Sequence, residues 1–243
     1  MTIYLSSLIL EITRKCNMLC SHCLRGQAEN LDMDNKIIDI LTRSVEFIGC
    51  LTFSGGEPSL NPEAIIYSRH AMHFNNCSFS CFWLAINARH FKKKFYNAIW
   101  DLYCTCDLPE DCVLTISGDQ YHELRSDLAM IKYESLPFYS SDRMRFIDEE
   151  CVINEGIAKE NYIGMKEAKI SSSITSYDWD SDNETLTIEE DIYVNAKGDV
   201  LLSCDLSYES QKKHSIGNVL AEPIEEILIR NLAGKSMLSV KAS

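Results

Sequence analysis

Three thiols stand close together near the start of the chain, in Cys16-Asn17-Met18-Leu19-Cys20-Ser21-His22-Cys23, at the spacing C-x3-C-x2-C. Thiolates this close on one loop can wrap a single metal centre. A closed zinc site takes about four ligands, and so does a four-iron cluster held entirely by protein. Three local cysteines therefore leave one iron of a [4Fe-4S] cluster open to an outside ligand. His22 as a fourth zinc ligand is awkward, because it adjoins Cys23 directly. A second candidate is Thr52-Phe53-Ser54-Gly55-Gly56-Glu57-Pro58. Its two glycines let backbone pass close to a ligand. Glu57 then presents a carboxylate beside them, and Pro58 stiffens the exit.

These residues need a scaffold, and the apolar pattern supplies one. Residues 8–13, 50–53, 81–86 and 113–117 read as short buried strands, with a fifth at 143–147 or 151–153. Between them, 34–48, the segment opened by Asn61-Pro62, 88–103 and 121–135 carry helical spacing. Asp32 or Asp34 suits a helix cap, and Pro62 suits a first helical turn. Alternating strands and helices predict an α/β fold with a parallel sheet. In such sheets chemistry gathers at the C-terminal strand ends. The cysteine loop, Ser54–Pro58, Asn87 and Ser117–His122 each follow a strand, so they are expected on one rim.

Residues 171–184 turn polar and acidic and read as a loop. Residues 188–194, Lys197-Gly198-Asp199 and 200–203 then read as a hairpin, and 223–230 as a short helix. This divides the chain into a core, 1–170, and an appendage, 171–243.

Composition excludes several classes. The net charge of −13 disfavours a phosphate-binding surface, so no nucleic-acid partner is expected. The local run Arg89, Lys92, Lys93 and Lys94 reads as a solvated helix face. No stretch approaches the ~18 uninterrupted apolar residues of a spanning helix, and the N-terminus lacks a secretion signal. A cytoplasmic protein without a membrane partner is expected. The 11 cysteines then read as thiols or ligands, not as a disulfide framework. Cys104 and Cys106, two apart, stand out as a candidate metal or redox pair.

The cysteine triad followed by the Gly-Gly-Glu turn resembles the radical S-adenosylmethionine (SAM) superfamily, over roughly residues 9–158. The resemblance implies a partial (β/α)6 TIM-like barrel and an oxygen-sensitive [4Fe-4S] cluster on Cys16, Cys20 and Cys23. SAM would chelate the open iron and be cleaved reductively to a 5′-deoxyadenosyl radical that takes hydrogen from substrate. It assigns Ser54, Gly55, Gly56 and Glu57 to the methionine end of SAM. His22 holds the place of an aromatic residue near the adenine. Leu84-Ala85-Ile86-Asn87-Ala88 resembles the family's third-strand ending, which implies a cofactor contact for Asn87, and residues 114–122 resemble its fourth-strand ending, which implies Ser117 in a ribose contact and Asp119 or His122 in a substrate contact. The family often has an Arg near the SAM carboxylate where this chain has Ile157; Arg143 or Arg145 is the expected replacement.

The C-terminal layout of hairpin, Cys204, Gly217-Asn218 and short helix resembles a SPASM or twitch appendage. No cysteine follows Cys204, so a remnant without an auxiliary cluster is expected. The tail favours a peptide or protein side chain as substrate. An electron donor such as flavodoxin or ferredoxin is implied. The chain begins almost at its first strand, so either a separate peptide-recognition partner or a short substrate is expected. Alternatives are a small-molecule enzyme of the deazaguanine-synthase type and a glycyl-radical activating enzyme. A non-catalytic metal-binding regulatory protein is the reading from another class, and Glu57 on its glycine turn argues against it.

Overall fold

The computed structural model describes residues 1–122, 125–144 and 146–234. A single mixed sheet runs in the order β5-β4-β3-β2-β1-β7-β8-β9, with β6 paired to β7. Its spine is β1 (Thr2–Thr13), whose residues from Leu8 onward are almost all buried. Strands β2 (Phe47–Gly55), β3 (Ser78–Ile86), β4 (Val113–Ile116) and β5 (Tyr139–Ser140) follow in parallel on one side. Continuous apolar runs such as Leu8–Leu10 and Phe82–Leu84 fit strands covered on both faces.

Helices α1 (Asn35–Ser44), α2 (Pro62–Asn75), α3 (Lys93–Tyr103) and α4 (Asp127–Glu134) link these strands. Each start has a local cause. Asp34 caps α1 by accepting from the Lys36 N–H, and Asn61 caps α2 by accepting from Ala64. The Asn61 amide also donates to the Ile12 carbonyl at 2.8 Å, which ties α2 to the end of β1. Helices α3 and α4 start later than the periodicity predicts. Ala88 has a left-handed backbone (φ 50°), and Ser126 takes the α4 cap by accepting from Ala129. Residues before those caps serve the rim instead.

The fifth strand is Tyr139–Ser140, not 143–147 or 151–153. A strand added beside β4 needs buried neighbours, and Leu136 and Phe138 provide them, with Leu114 N–H bonded to the Phe138 carbonyl. Phe146, in the expected strand, is 76% exposed. From 151–153 only an isolated bridge, Ile153 to Lys166, forms.

Past the short helix α5 (Gly156–Glu160), the acidic stretch is not all loop. It contains β6 (Tyr177–Asp180), antiparallel to β7 (Thr185–Val194). β7 then turns at Gly198 into β8 (Asp199–Leu201), as the hairpin reading expects. Its other face of pairing was not expected: β7 lies parallel against β1, from Thr2–Thr185 to Leu10–Val194. Among the described residues, six strands thus run parallel side by side. Helix α6 (Tyr208–His214), strand β9 (Gly217–Asn218) and helix α7 (Ile224–Arg230) complete the chain. Ile224, Ile227 and Leu228 of α7 join the same apolar core as β1 and β2. No helix among the described residues is long and apolar enough to cross a membrane.

Candidate active site

Parallel pairing brings the expected groups to one rim, and the cysteine loop lies across it. This loop leaves β1 at Thr13, and the glycine turn at the end of β2 docks beneath it. The Gly56 N–H donates to the Thr13 carbonyl at 2.9 Å, and the Glu57 N–H to the Lys15 carbonyl at 2.8 Å. A Cβ on Gly55 would sit 2.0 Å from the Thr13 oxygen, and one on Gly56 2.3 Å from the Lys15 oxygen. Both glycines are therefore required by close approach to the strand that leads to Cys16.

Glu57 is buried, and both carboxylate oxygens accept backbone hydrogen bonds. Oε1 takes the Ser59 N–H at 3.0 Å, and Oε2 takes the Asn87 N–H at 2.8 Å. Burial pushes its pKa up against the pull of these bonds. No ion pair among the described residues includes it. Asn87 carries the connection onward. Its Nδ2 donates to Asn17 Oδ1 at 2.8 Å, and the Arg89 guanidinium donates to the Asn17 carbonyl at 2.5 Å. The ends of β2 and β3 thereby hold the cysteine loop from one side.

Cys16, Cys20 and Cys23 are all half-buried cysteines of this loop, none of them in a disulfide. Burial, followed by lesser effects that include the Glu57 charge, pushes the Cys16 pKa up. The far side of the loop is gripped by α5 and α6. The Cys23 carbonyl accepts from Ile157 at 2.9 Å and Ala158 at 3.3 Å, and Asn161 donates to the Ser21 carbonyl at 2.9 Å. Gly156 (φ 53°) makes this possible, since a Cβ there would lie 2.4 Å from the Leu24 oxygen. Ile157, at the place of the expected arginine, thus binds the loop backbone. Arg143 lies over the Trp83 ring at 5.3 Å, and Arg145 is outside the described residues.

At the end of β4, Ser117 donates its N–H to the Ile86 carbonyl, and Asp119 bends back on its own loop. Asp119 Oδ1 lies 2.7 Å from His122 Nδ1 and accepts the Tyr121 N–H at 2.9 Å. Burial raises the Asp119 pKa, but His122 outweighs it and the net shift is downward. The His22 ring stacks on Tyr121 at 4.7 Å and meets His122 edge-on at 5.1 Å. Burial, then the His122 charge, lowers the His22 pKa to about 4. Its Nδ1 is buried without a hydrogen-bond partner. Ligand atoms of His22, Asp119 and His122 lie within 4.8 Å of one another. The motif residue and both substrate-side candidates are thus brought together.

Sequence motifs missed a buried polar network behind the loop. Glu11 accepts from Arg14 Nε at 2.6 Å, from the Tyr193 hydroxyl at 2.6 Å and from Gln211 at 2.9 Å. Arg14 also donates to Gln211 and lies over the Tyr208 ring at 4.2 Å. Arg25 donates to the Leu206 carbonyl at 2.8 Å and sits 5.0 Å from the Tyr193 ring centre. The one visible signal was two arginines flanking the triad; Arg14's partner Gln211 lies 197 residues away in sequence and Arg25's partner Leu206 lies 181 away. Cys204 is half-buried and bonds Asp205.

No protein-family model and no curated relative matches the sequence. Solved structures do match. The native anSMEcpe with bound AdoMet and the Cp18Cys peptide aligns at a TM-score of 0.53 and 12% identity, over 93% of this chain and 80% of that one. The same protein with AdoMet and the Kp18Cys peptide aligns at 0.54 and 12%, over 92% and 80%. The chain shares the fold of that protein. In this fold the three thiols, the glycine turn and Glu57 occupy neighbouring strand ends.

Proposed function

We propose that the chain is a radical SAM enzyme acting on a peptide or protein side chain. The observation that carries this reading is the docking of the Gly-Gly-Glu turn under a loop with three half-buried thiols. The fold, shared with a protein solved with AdoMet and a peptide, supports it.

The residues present fit the cofactors. Cys16, Cys20 and Cys23 would hold a [4Fe-4S] cluster, a thiolate set one short of closure. Such a cluster, reduced by a donor such as flavodoxin or ferredoxin, supplies the electron that cleaves SAM. Glu57 retains unused lone pairs on each oxygen, and its buried charge lacks a cation; an ammonium group satisfies both. Ser54, Gly55 and Gly56 border that position. The orphaned Nδ1 of His22 suits a nucleoside partner, and Asn87 and Ser117 stand at neighbouring strand ends for the ribose. Asp119 orients His122 through the 2.7 Å contact, so this pair is the candidate for receiving or returning a proton on the substrate side.

Anaerobically reconstituted protein should carry about four irons per chain and release 5′-deoxyadenosine when given SAM and dithionite. Replacing Cys16, Cys20 and Cys23 together by Ala should abolish both. A wild type that binds only zinc, or a triple variant that keeps its iron, defeats the reading. His122→Ala should leave uncoupled SAM cleavage near wild type and remove only substrate-dependent product. Loss of SAM cleavage itself would move His122 to the cofactor.

A further inference from the structure

Away from the rim, a second group of thiols gathers where α3 runs into β4. Cys106 Sγ and Cys112 Sγ lie 3.3 Å apart. Cys112 is buried and Cys106 half-buried, while Cys104, the expected partner of Cys106, points to solvent. The connection is anchored on both sides of the pair. Asp107 and Leu108 donate their N–H groups to the Phe79 and Ser80 carbonyls of β3, and Cys112 N–H bonds the Pro109 carbonyl. The sulfurs are thus neighbours by backbone design, not by chance rotation of two exposed side chains. Among the described residues, no set of three metal-ligating atoms includes either cysteine.

We propose that Cys106 and Cys112 are a reversible dithiol–disulfide pair, closed by exchange with a small disulfide such as oxidised glutathione. A disulfide needs sulfurs about 2.05 Å apart, so closure requires an approach of roughly 1 Å. Cys106 is the attacking group because an external disulfide can reach it. Burial raises the pKa of both thiols; the hydrogen bond between them opposes that rise at Cys106 and adds to it at Cys112. The Cys106 thiolate attacks one sulfur of glutathione disulfide, breaks its S–S bond and expels one glutathione thiolate. Cys112 gives its proton to that thiolate, attacks the Cys106 sulfur and expels the second thiolate, which takes from water the proton that Cys106 released. Two cysteine thiols lose two electrons, and one glutathione disulfide becomes two thiols. The bond would staple the end of α3 to the start of β4, whose other end carries Ser117 and Asp119.

The test treats the anaerobic, cluster-loaded protein with oxidised glutathione, blocks free thiols and maps peptides. A tryptic fragment of residues 95–125 contains Cys104, Cys106 and Cys112, and a further cut at Asp107 separates the last from the others. The two pieces should stay joined until reduced, in wild type and in Cys104→Ser alike. Cys112→Ser should trap glutathione on Cys106, and Cys106→Ser should leave Cys112 unmodified. Pieces that separate, a Cys104–Cys106 bond, or pairing lost in Cys104→Ser would each overturn the proposal. None of these outcomes depends on SAM cleavage.

Discussion

Glu57 is the residue on which the cofactor reading turns, and its surroundings make it a titration probe. Burial raises its folded pKa above the unfolded value, with the Ser59 and Asn87 bonds opposing. A carboxyl raised in this way contributes stability below its unfolded pKa, and that contribution is lost as pH rises through the folded pKa. The ligand-free protein should therefore lose melting temperature as pH climbs through and above the ordinary carboxylate range. Glu57→Gln should flatten that slope, and saturating SAM should reduce it, because a cation lowers the pKa again. The same variant should weaken SAM binding tenfold or more, since charge-assisted bonds contribute about 1.5–3 kcal/mol. Unchanged binding in calorimetry would remove Glu57 from the site. Gly56→Ala tests the docking instead. With a Cβ 2.3 Å from a backbone oxygen, the turn must shift, so cluster retention and stability should both fall. The glycines were legible as permitting close approach. What they approach, the exit of β1, was not, because a short motif does not report its tertiary neighbour.

Among the elements, α5 and α6 act together as the back wall of the cysteine loop. Glu155, just before α5, accepts from Ser207 N–H at 3.3 Å and Ser210 Oγ at 2.8 Å at the start of α6. Burial raises its pKa, but the two serine bonds prevail and hold it below the usual range. The stability it contributes is present above the unfolded pKa and lost as pH falls through the folded one. Glu155→Gln should thus lower stability at neutral pH and flatten the acid limb of a denaturation series, and an unchanged acid limb would show the contact to be idle. Gly156→Ala should loosen the loop, seen as faster iron loss on exposure to air, with Cys23 ligation intact at the outset. Helix α6 was not legible because it buries only Tyr208 and Gln211 and shows no apolar stripe. Strands β1 to β4 were legible because their apolar runs end at turn or polar motif residues. The fifth failed because Phe138 and its neighbours lie in a run too short to stand out from 143–147.

For the whole molecule, the change of composition near residue 171 marks no break in the sheet. β7 pairs with β1 over most of its length, and α7 packs into the shared core. The Glu11–Arg14 pair, almost wholly excluded from solvent, is bonded on its far side by Tyr193 and Gln211. A buried ion pair of this kind is costly to break from one side. Arg14→Met should destabilise the protein by about 3–5 kcal/mol through the uncompensated Glu11 charge. Composition and periodicity, which suggested the division, report local polarity and cannot see a parallel partner contributed by a strand more than 180 positions away. The same pairing predicts the behaviour of residues 1–170 alone. That fragment would expose the β1 edge, with its row of unpaired N–H and carbonyl groups, and half of the Glu11–Arg14 network. It should be insoluble or melt without a cooperative transition, while the full chain unfolds in one step by calorimetry. A soluble 1–170 fragment that melts cooperatively and still takes up about four irons would establish the core and appendage as separate units.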